Sequence, residues 1–129
     1  MRPLVHPAIE DITVEGILHV LSDPVRAAIY ASLAASDSAR ICSNFLQMQG
    51  KEIPKSTLSY HFNLLREAGL IRCERHGVEM RNTSRCKEVD QRFPGLLAAI
   101  MQAHALQYAQ RKGKRVTAKT HSRAPKGRL

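Results

Sequence analysis

Apolar residues repeat along much of the chain at the spacing of helices that bury one side. Val14, Ile17, Leu18 and Leu21 stand at i, i+3, i+4 and i+7, with Asp11 or Thr13 placed to cap the start. Ser22-Asp23-Pro24 ends that helix and opens another. Asp23 suits the N-cap, and Pro24 suits the first helical position, where the missing N–H would have had no partner. Val25, Ala28, Ile29 and Leu33 line the second helix. A short third helix is expected over residues 43–49, with Phe45 and Met48 inward and Gly50 at its end. A longer helix is expected over 54–68, with Leu58, Phe62 and Leu65 at i, i+4 and i+7. Gly69 closes it, where a left-handed residue is wanted. A short helix, a tight turn carrying glycine and a second helix together make a helix-turn-helix.

Beyond Gly69 the chain reads as extended. Residues 70–75 and 78–83 are expected to be two short strands around a His76-Gly77 turn. A two-residue loop there pairs Cys73 with Met80 and Ile71 with Asn82. On the other face it sets Glu74 against Glu79 and Arg72 against Arg81, like charges that diagonal attractions offset. The expected product is a small ribbon with a polar tip. After the charged linker 84–92, a last helix is expected over about 90–110, beginning properly after Pro94. Leu96, Leu97, Ile100, Met101, Ala103 and Leu106 make it apolar over a wide arc. Such an arc near the end of a small domain needs a cover, and the same helix of a second chain would supply one.

Composition narrows the class. A chain of 129 residues makes one compact domain, and 43% hydrophobic residues exclude wholesale disorder. The longest unbroken apolar run, 96–101, is far short of the roughly 20 residues of a membrane span. No apolar signal core follows Arg2, so a cytoplasmic protein is expected. Lys and Arg number 20 against 11 acids, a net charge of +9. The excess sits at one end: Arg111, Lys112, Lys114, Arg115, Lys119, Arg123, Lys126 and Arg128 occur in a stretch without an acid. The expected organisation is an extended lead-in at 1–11, a nearly neutral folded body at 12–110 and a disordered basic tail at 111–129. Such a tail suits a polyanion, most simply nucleic acid phosphate, or serves only to keep the chain soluble.

The helix at 54–68 has a second face that its core does not use. Lys55, Ser56, Thr57, Ser59, Tyr60 and Asn63 lie on or beside it. Hydroxyls and an amide donate and accept hydrogen bonds as base edges require, and a lysine neutralises phosphate. Free N–H groups at the start of the helix favour a nearby phosphate. The same residues would also make an ordinary solvated surface, but the turn before them and the ribbon after them favour double-stranded DNA. His61 neighbours this face and can either contact phosphate or tuck inward beside Leu65. In the ribbon, Arg75, His76 and Gly77 form the tip, and Arg72 and Arg81 stand ready for the backbone of a flanking groove.

At this point a resemblance emerges. Leu21-Ser22-Asp23-Pro24-Val25-Arg26 resembles the opening of the ArsR (arsenic-repressor-like) winged helix-turn-helix regulators. Ser56-Thr57-Leu58-Ser59-Tyr60-His61-Phe62, followed by Leu65-Arg66-Glu67-Ala68-Gly69-Leu70-Ile71, resembles their recognition helix and its exit. The likeness covers roughly residues 12–106. It implies a mainly α fold of about five helices with a two-stranded β-hairpin wing, and a homodimer joined through its first and last helices. It also implies a prokaryotic repressor that reads DNA with Lys55, Ser56, Ser59, Tyr60 and His61, and with Arg75, His76 and Gly77 at the wing tip. Pro54 stands where the family often has a serine cap.

The metal-sensing features of that family are missing. Cys42 has Arg40 and Asn44 two places away, so no Cys-x-Cys pair exists, and Asp90 and His104 lack partners at helical spacing. Zinc or arsenite needs several converging soft or imidazole ligands. No metal or other cofactor is therefore expected, and the small-molecule effector is left open. Cys42, Cys73 and Cys86 form no disulfide framework and read as thiols in a reducing compartment. An alternative gives them a redox-sensing role, since Arg40, Arg72, Arg85 and Lys87 flank them. Another alternative is a non-specific nucleic-acid-coating protein acting through the tail. No nucleophile–base spacing and no phosphate-cradling glycine loop speaks for an enzyme.

Overall fold

A computed structural model describes residues 4–36, 40–41, 45, 47–48 and 51–120, with side chains except at 40, 41, 47, 48, 51 and from 110 onward. Residues up to Leu97 form one compact unit, and Ala98 onward a second.

The first two helices are delimited by their caps. α1 (Val14–Leu21) starts at Thr13, whose hydroxyl accepts the Gly16 N–H at 3.0 Å. α2 (Pro24–Ala35) starts at Asp23, whose carboxylate accepts the N–H groups of Val25 and Arg26, with Pro24 in the first turn as expected. Both bury one side, but the stripes are rotated from those read off the spacing. Val20 is buried where Leu18 is half-exposed, and Arg26, Ala27 and Tyr30 join Ile29 and Leu33 in the interior. α2 is the centre of the unit, packing on α1, on the helix that begins at Lys55 and on the sheet.

The helix expected over 43–49 is corrected at 47–48, which are strand; residues 43, 44, 46 and 49 lie outside the described residues. Among the described residues, β2 (Gln47–Met48) pairs antiparallel with β3 (Lys51–Glu52), leaving two residues between them. A seven-residue helix with two apolar anchors would gain little against the cost of nucleation. Phe45 is buried, as anticipated, with its ring edge-on to Phe62 at a centroid distance of 5.5 Å.

α3 (Lys55–Glu67) follows, with Pro54 at its N-cap and Gly69 at φ +86° after its end. A three-stranded antiparallel sheet comes next in the order β1-β5-β4, from β1 (Arg40–Ile41), β4 (Ile71–His76) and β5 (Glu79–Ser84). β1 is a strand the alternation in the sequence does not announce. The turn is one residue further along than expected, which moves every cross-strand partner by two. The loop is Gly77-Val78, so Cys73 faces Asn82 and Arg75 faces Met80. Gly77, at φ +63°, takes the first loop position, where glycine relieves the steric cost of positive φ. The slip also removes both like-charge pairs: Glu74 now faces Arg81, and His76 faces Glu79.

The linker after the hairpin contains α4 (Cys86–Arg92), so Asp90 belongs to this helix and not to the last one. Phe93, Pro94 and Gly95, the last at φ +85°, separate it from α5 (Leu96–Thr120). Among the described residues the α-helices number five, with α4 among them, and a short 3-10 turn at Ile9–Asp11 precedes α1. The backbone of α5 runs ten residues past the expected end near 110. Residues 121–129 lie outside the described residues.

Candidate nucleic-acid interface

α3 divides into two faces by its own sequence. Leu58, His61, Phe62 and Leu65 are buried, and these positions fall at i, i+3, i+4 and i+7. Lys55, Ser56, Thr57, Ser59, Tyr60 and Asn63 are all exposed, with Tyr60 at 57%. Thirteen residues give this face about 20 Å of length, enough to lie along a major groove. No side chain caps the start of α3, so its first N–H groups have no side-chain acceptor at the N-cap. Here hydroxyls, a phenol, an amide, a cation and the positive end of a helix share one surface.

His61 leaves this set. It is 6% exposed, and its Nδ1 lies 3.3 Å from Arg26 Nη1. Arginine can only donate, so Nδ1 accepts and the neutral ring carries its proton on Nε2. Burial pushes the imidazole below its usual pKa; Asp23 pulls it upward, and Arg26 depresses it further. Arg26 is itself buried and donates from Nε to the Val20 carbonyl at 2.7 Å. The pair ties α3 to α2. Position 61 sits on the Leu58–Leu65 stripe, which explains why it turns inward.

The hairpin supplies a second exposed element. Arg75, His76 and Gly77 are exposed at its end, and Val78 is 98% exposed beside them. Composition alone gave no reason to single out Val78; the corrected register puts it in the loop. Arg81 lies on the hairpin 3.4 Å from Glu79, and His76 Nε2 is 3.9 Å from Glu74. Arg72 is committed elsewhere. Its Nη2 meets Glu88 at 3.0 Å, and the same carboxylate takes Arg85 at 2.7 Å. Hydrogen bonding from Arg85 is the main reason the Glu88 carboxyl is held below its usual pKa. Arg85 is buried and also donates to the Pro7 carbonyl at 2.9 Å. Arg72 thus anchors β4 to α4, away from the tip.

The thiols separate as well. Cys73 is 5% exposed, which withholds its sulfur from solvent oxidants; Cys86 is half-buried; Cys42 lies outside the described residues. Neither Cys73 nor Cys86 is in a disulfide. Among the described residues no three His, Cys, Asp or Glu side chains gather as a metal would require, and no helix is long and apolar enough to cross a membrane.

Known proteins share parts of this geometry. A family described as a helix-turn-helix domain matches residues 21–74, from the end of α1 into β4. Among solved structures, the chain is similar to an ArsR-like transcriptional regulator from Rhodococcus sp. RHA1. The two share 17% identity over 83% of this chain and 91% of the other, with a TM-score of 0.50. No curated protein matches. The fold is a winged helix-turn-helix, with the β4–β5 hairpin as the wing directly after α3.

Proposed function

We propose that this protein is a sequence-specific, DNA-binding transcriptional regulator that acts as a homodimer. α3 enters the major groove and reads base edges with Ser56, Ser59, Tyr60 and Asn63, while Lys55 and Thr57 engage phosphate. Arg75, His76 and Gly77 at the wing tip approach the neighbouring minor groove, with Arg81 alongside on the hairpin. The observation that carries the reading is the exposed hydroxyl-bearing face of α3, held on a helix whose other side is locked into the core. The half-exposed Leu18 of α1, and Leu106 and Tyr108 of α5, are apolar surface of the kind a second subunit would cover. Such a protein works in the cytoplasm at the nucleoid, most simply as a repressor that blocks its site. The cations between Arg111 and Arg128 add sequence-independent phosphate contacts.

The test is selection of bound duplexes from a random pool. A two-fold symmetric consensus with half-sites about one helical turn apart supports the reading. Ser59→Ala combined with Tyr60→Ala should abolish that preference while leaving the fold intact, because both side chains are exposed. Equal binding of all duplexes by the parent protein would show that specificity does not reside on α3.

A further inference from the structure

The lead-in ahead of α1 is bound to the body at several points. His6 Nε2 accepts the backbone N–H of Cys73 at 3.0 Å, on the edge strand β4. Arg85 donates to the Pro7 carbonyl, and Arg92 Nε donates to the Ile12 carbonyl at 3.1 Å. Ile12 and Pro7 lie over Gly69, at the exit of α3, where a Cβ would come within 2.5 Å of Ile12 Cγ1. One further contact reaches the reading helix. Arg66 donates from Nε to the Val5 carbonyl at 3.2 Å and from Nη1 to Asn63 Oδ1 at 3.0 Å.

We infer that the lead-in positions the DNA-reading surface: the Val5 carbonyl holds Arg66, and Arg66 orients the Asn63 amide. The guanidinium is planar, so a donor fixed on Val5 sets the direction of the donor aimed at Asn63. With Oδ1 committed to Arg66, the amide of Asn63 offers its N–H donors to the groove. It therefore selects base edges that present acceptors. Arg66 is a positioning residue, and the segment that steadies it lies sixty-one positions earlier in the chain. His6 fixes the segment by accepting from Cys73, which requires an unprotonated Nε2. The groups around the ring are Arg66 from α3, Arg72 and Glu74 from β4, and Arg85 at the start of α4.

This inference rests on the reading of α3 proposed above, and one experiment separates the two. Duplexes are selected from a random pool with the full chain and with its Arg66→Lys, His6→Ala and His6→Gln variants. Lysine keeps the charge but cannot span both acceptors. Arg66→Lys and His6→Ala should both weaken discrimination about tenfold at the same base position of each half-site. Affinity for random-sequence duplex should stay within about twofold, since every phosphate-binding cation is retained. His6→Gln should restore the discrimination, because its Oε1 can accept where Nε2 did. An unchanged consensus in Arg66→Lys overturns the inference. So does a His6→Ala variant that melts earlier yet selects the parent consensus, or a His6→Gln variant that fails to rescue. A parent chain that selects no consensus overturns the reading of α3 itself, and this inference with it.

Discussion

Gly69 and Gly77 both hold positive φ, yet replacing them should have unequal effects. At Gly69 an added Cβ meets Ile12 Cγ1 at 2.5 Å, Ile12 Cδ1 at 2.6 Å and Pro7 Cγ at 3.3 Å. At Gly77 nothing lies within 4 Å. Gly69→Ala should cost roughly 2–4 kcal/mol, as backbone strain and overpacking add. Gly77→Ala should cost about 1 kcal/mol from strain alone. Denaturant unfolding of the two variants checks the difference. The histidines give a second prediction. The pKa of His6 is depressed by burial and then by Arg72, Arg66 and Arg85, against a small pull from Glu74. That of His61 is depressed first by burial. In the folded state both therefore stay neutral below the ordinary value of 6.5, while the unfolded chain takes up protons there. Their stabilisation is present above pH 6.5 and is lost as pH falls toward their folded values. Glu88, held down by Arg85, gives way only in a lower window, below 4.5. Melting temperature should accordingly fall between about pH 7 and pH 5, and the slope should flatten in His6→Gln. That His61 would turn inward was open at the level of residue type and was decided by its phase on the helix.

At the level of elements, the caps were readable because they depend on neighbours in sequence. Thr13, Asp23-Pro24 and Gly69 each act within a few residues of themselves. The hairpin was readable as two strands, but its register was not. A choice between His76-Gly77 and Gly77-Val78 moves every partner by two and depends on which loop position takes the positive φ. The short strands β1, β2 and β3 were missed because two-residue strands carry no period; pairing partners elsewhere define them. One long-range tie can be tested directly. Tyr30, fully buried on α2, has its hydroxyl 3.0 Å from Ser84 Oγ at the end of β5. Burial pushes its pKa up to about 12, so the phenol stays neutral and able to donate. Tyr30→Phe should cost about 1 kcal/mol, because Ser84 Oγ keeps the Cys86 N–H as a partner at 3.0 Å. Chemical denaturation of the variant against the parent measures it.

At the level of the whole molecule, the proposed dimer and the basic end make separable predictions. Leu106 on α5 is 58% exposed, so Leu106→Glu should leave the fold of the chain alone while turning a dimer into monomers. Sedimentation equilibrium reads the change directly, and operator affinity should fall with it as two linked half-sites become independent. Neutralising Arg123, Lys126 and Arg128 to Gln should make the salt dependence of DNA binding shallower, by about 0.9 for each phosphate that no longer meets a cation. Base preference should be unchanged, since the proposed reading places it on α3. Binding measured across a series of salt concentrations distinguishes the two contributions.

Local chemistry was enough to locate α1, α2, α3 and the wing, and to nominate the hydroxyl-rich side of α3. Helix phase, caps and left-handed glycines act over a few residues, and a linear string records them in full. Packing between distant segments settled the remainder. It gave the inward-facing His61 its partner Arg26, drew Arg72 into Glu88, and made a short strand of residues 40–41 through pairing with β5. It also brought Val5 to Arg66. These interactions join positions far apart in the chain. Their strength depends on burial and distance in three dimensions, and no spacing rule along one dimension encodes either.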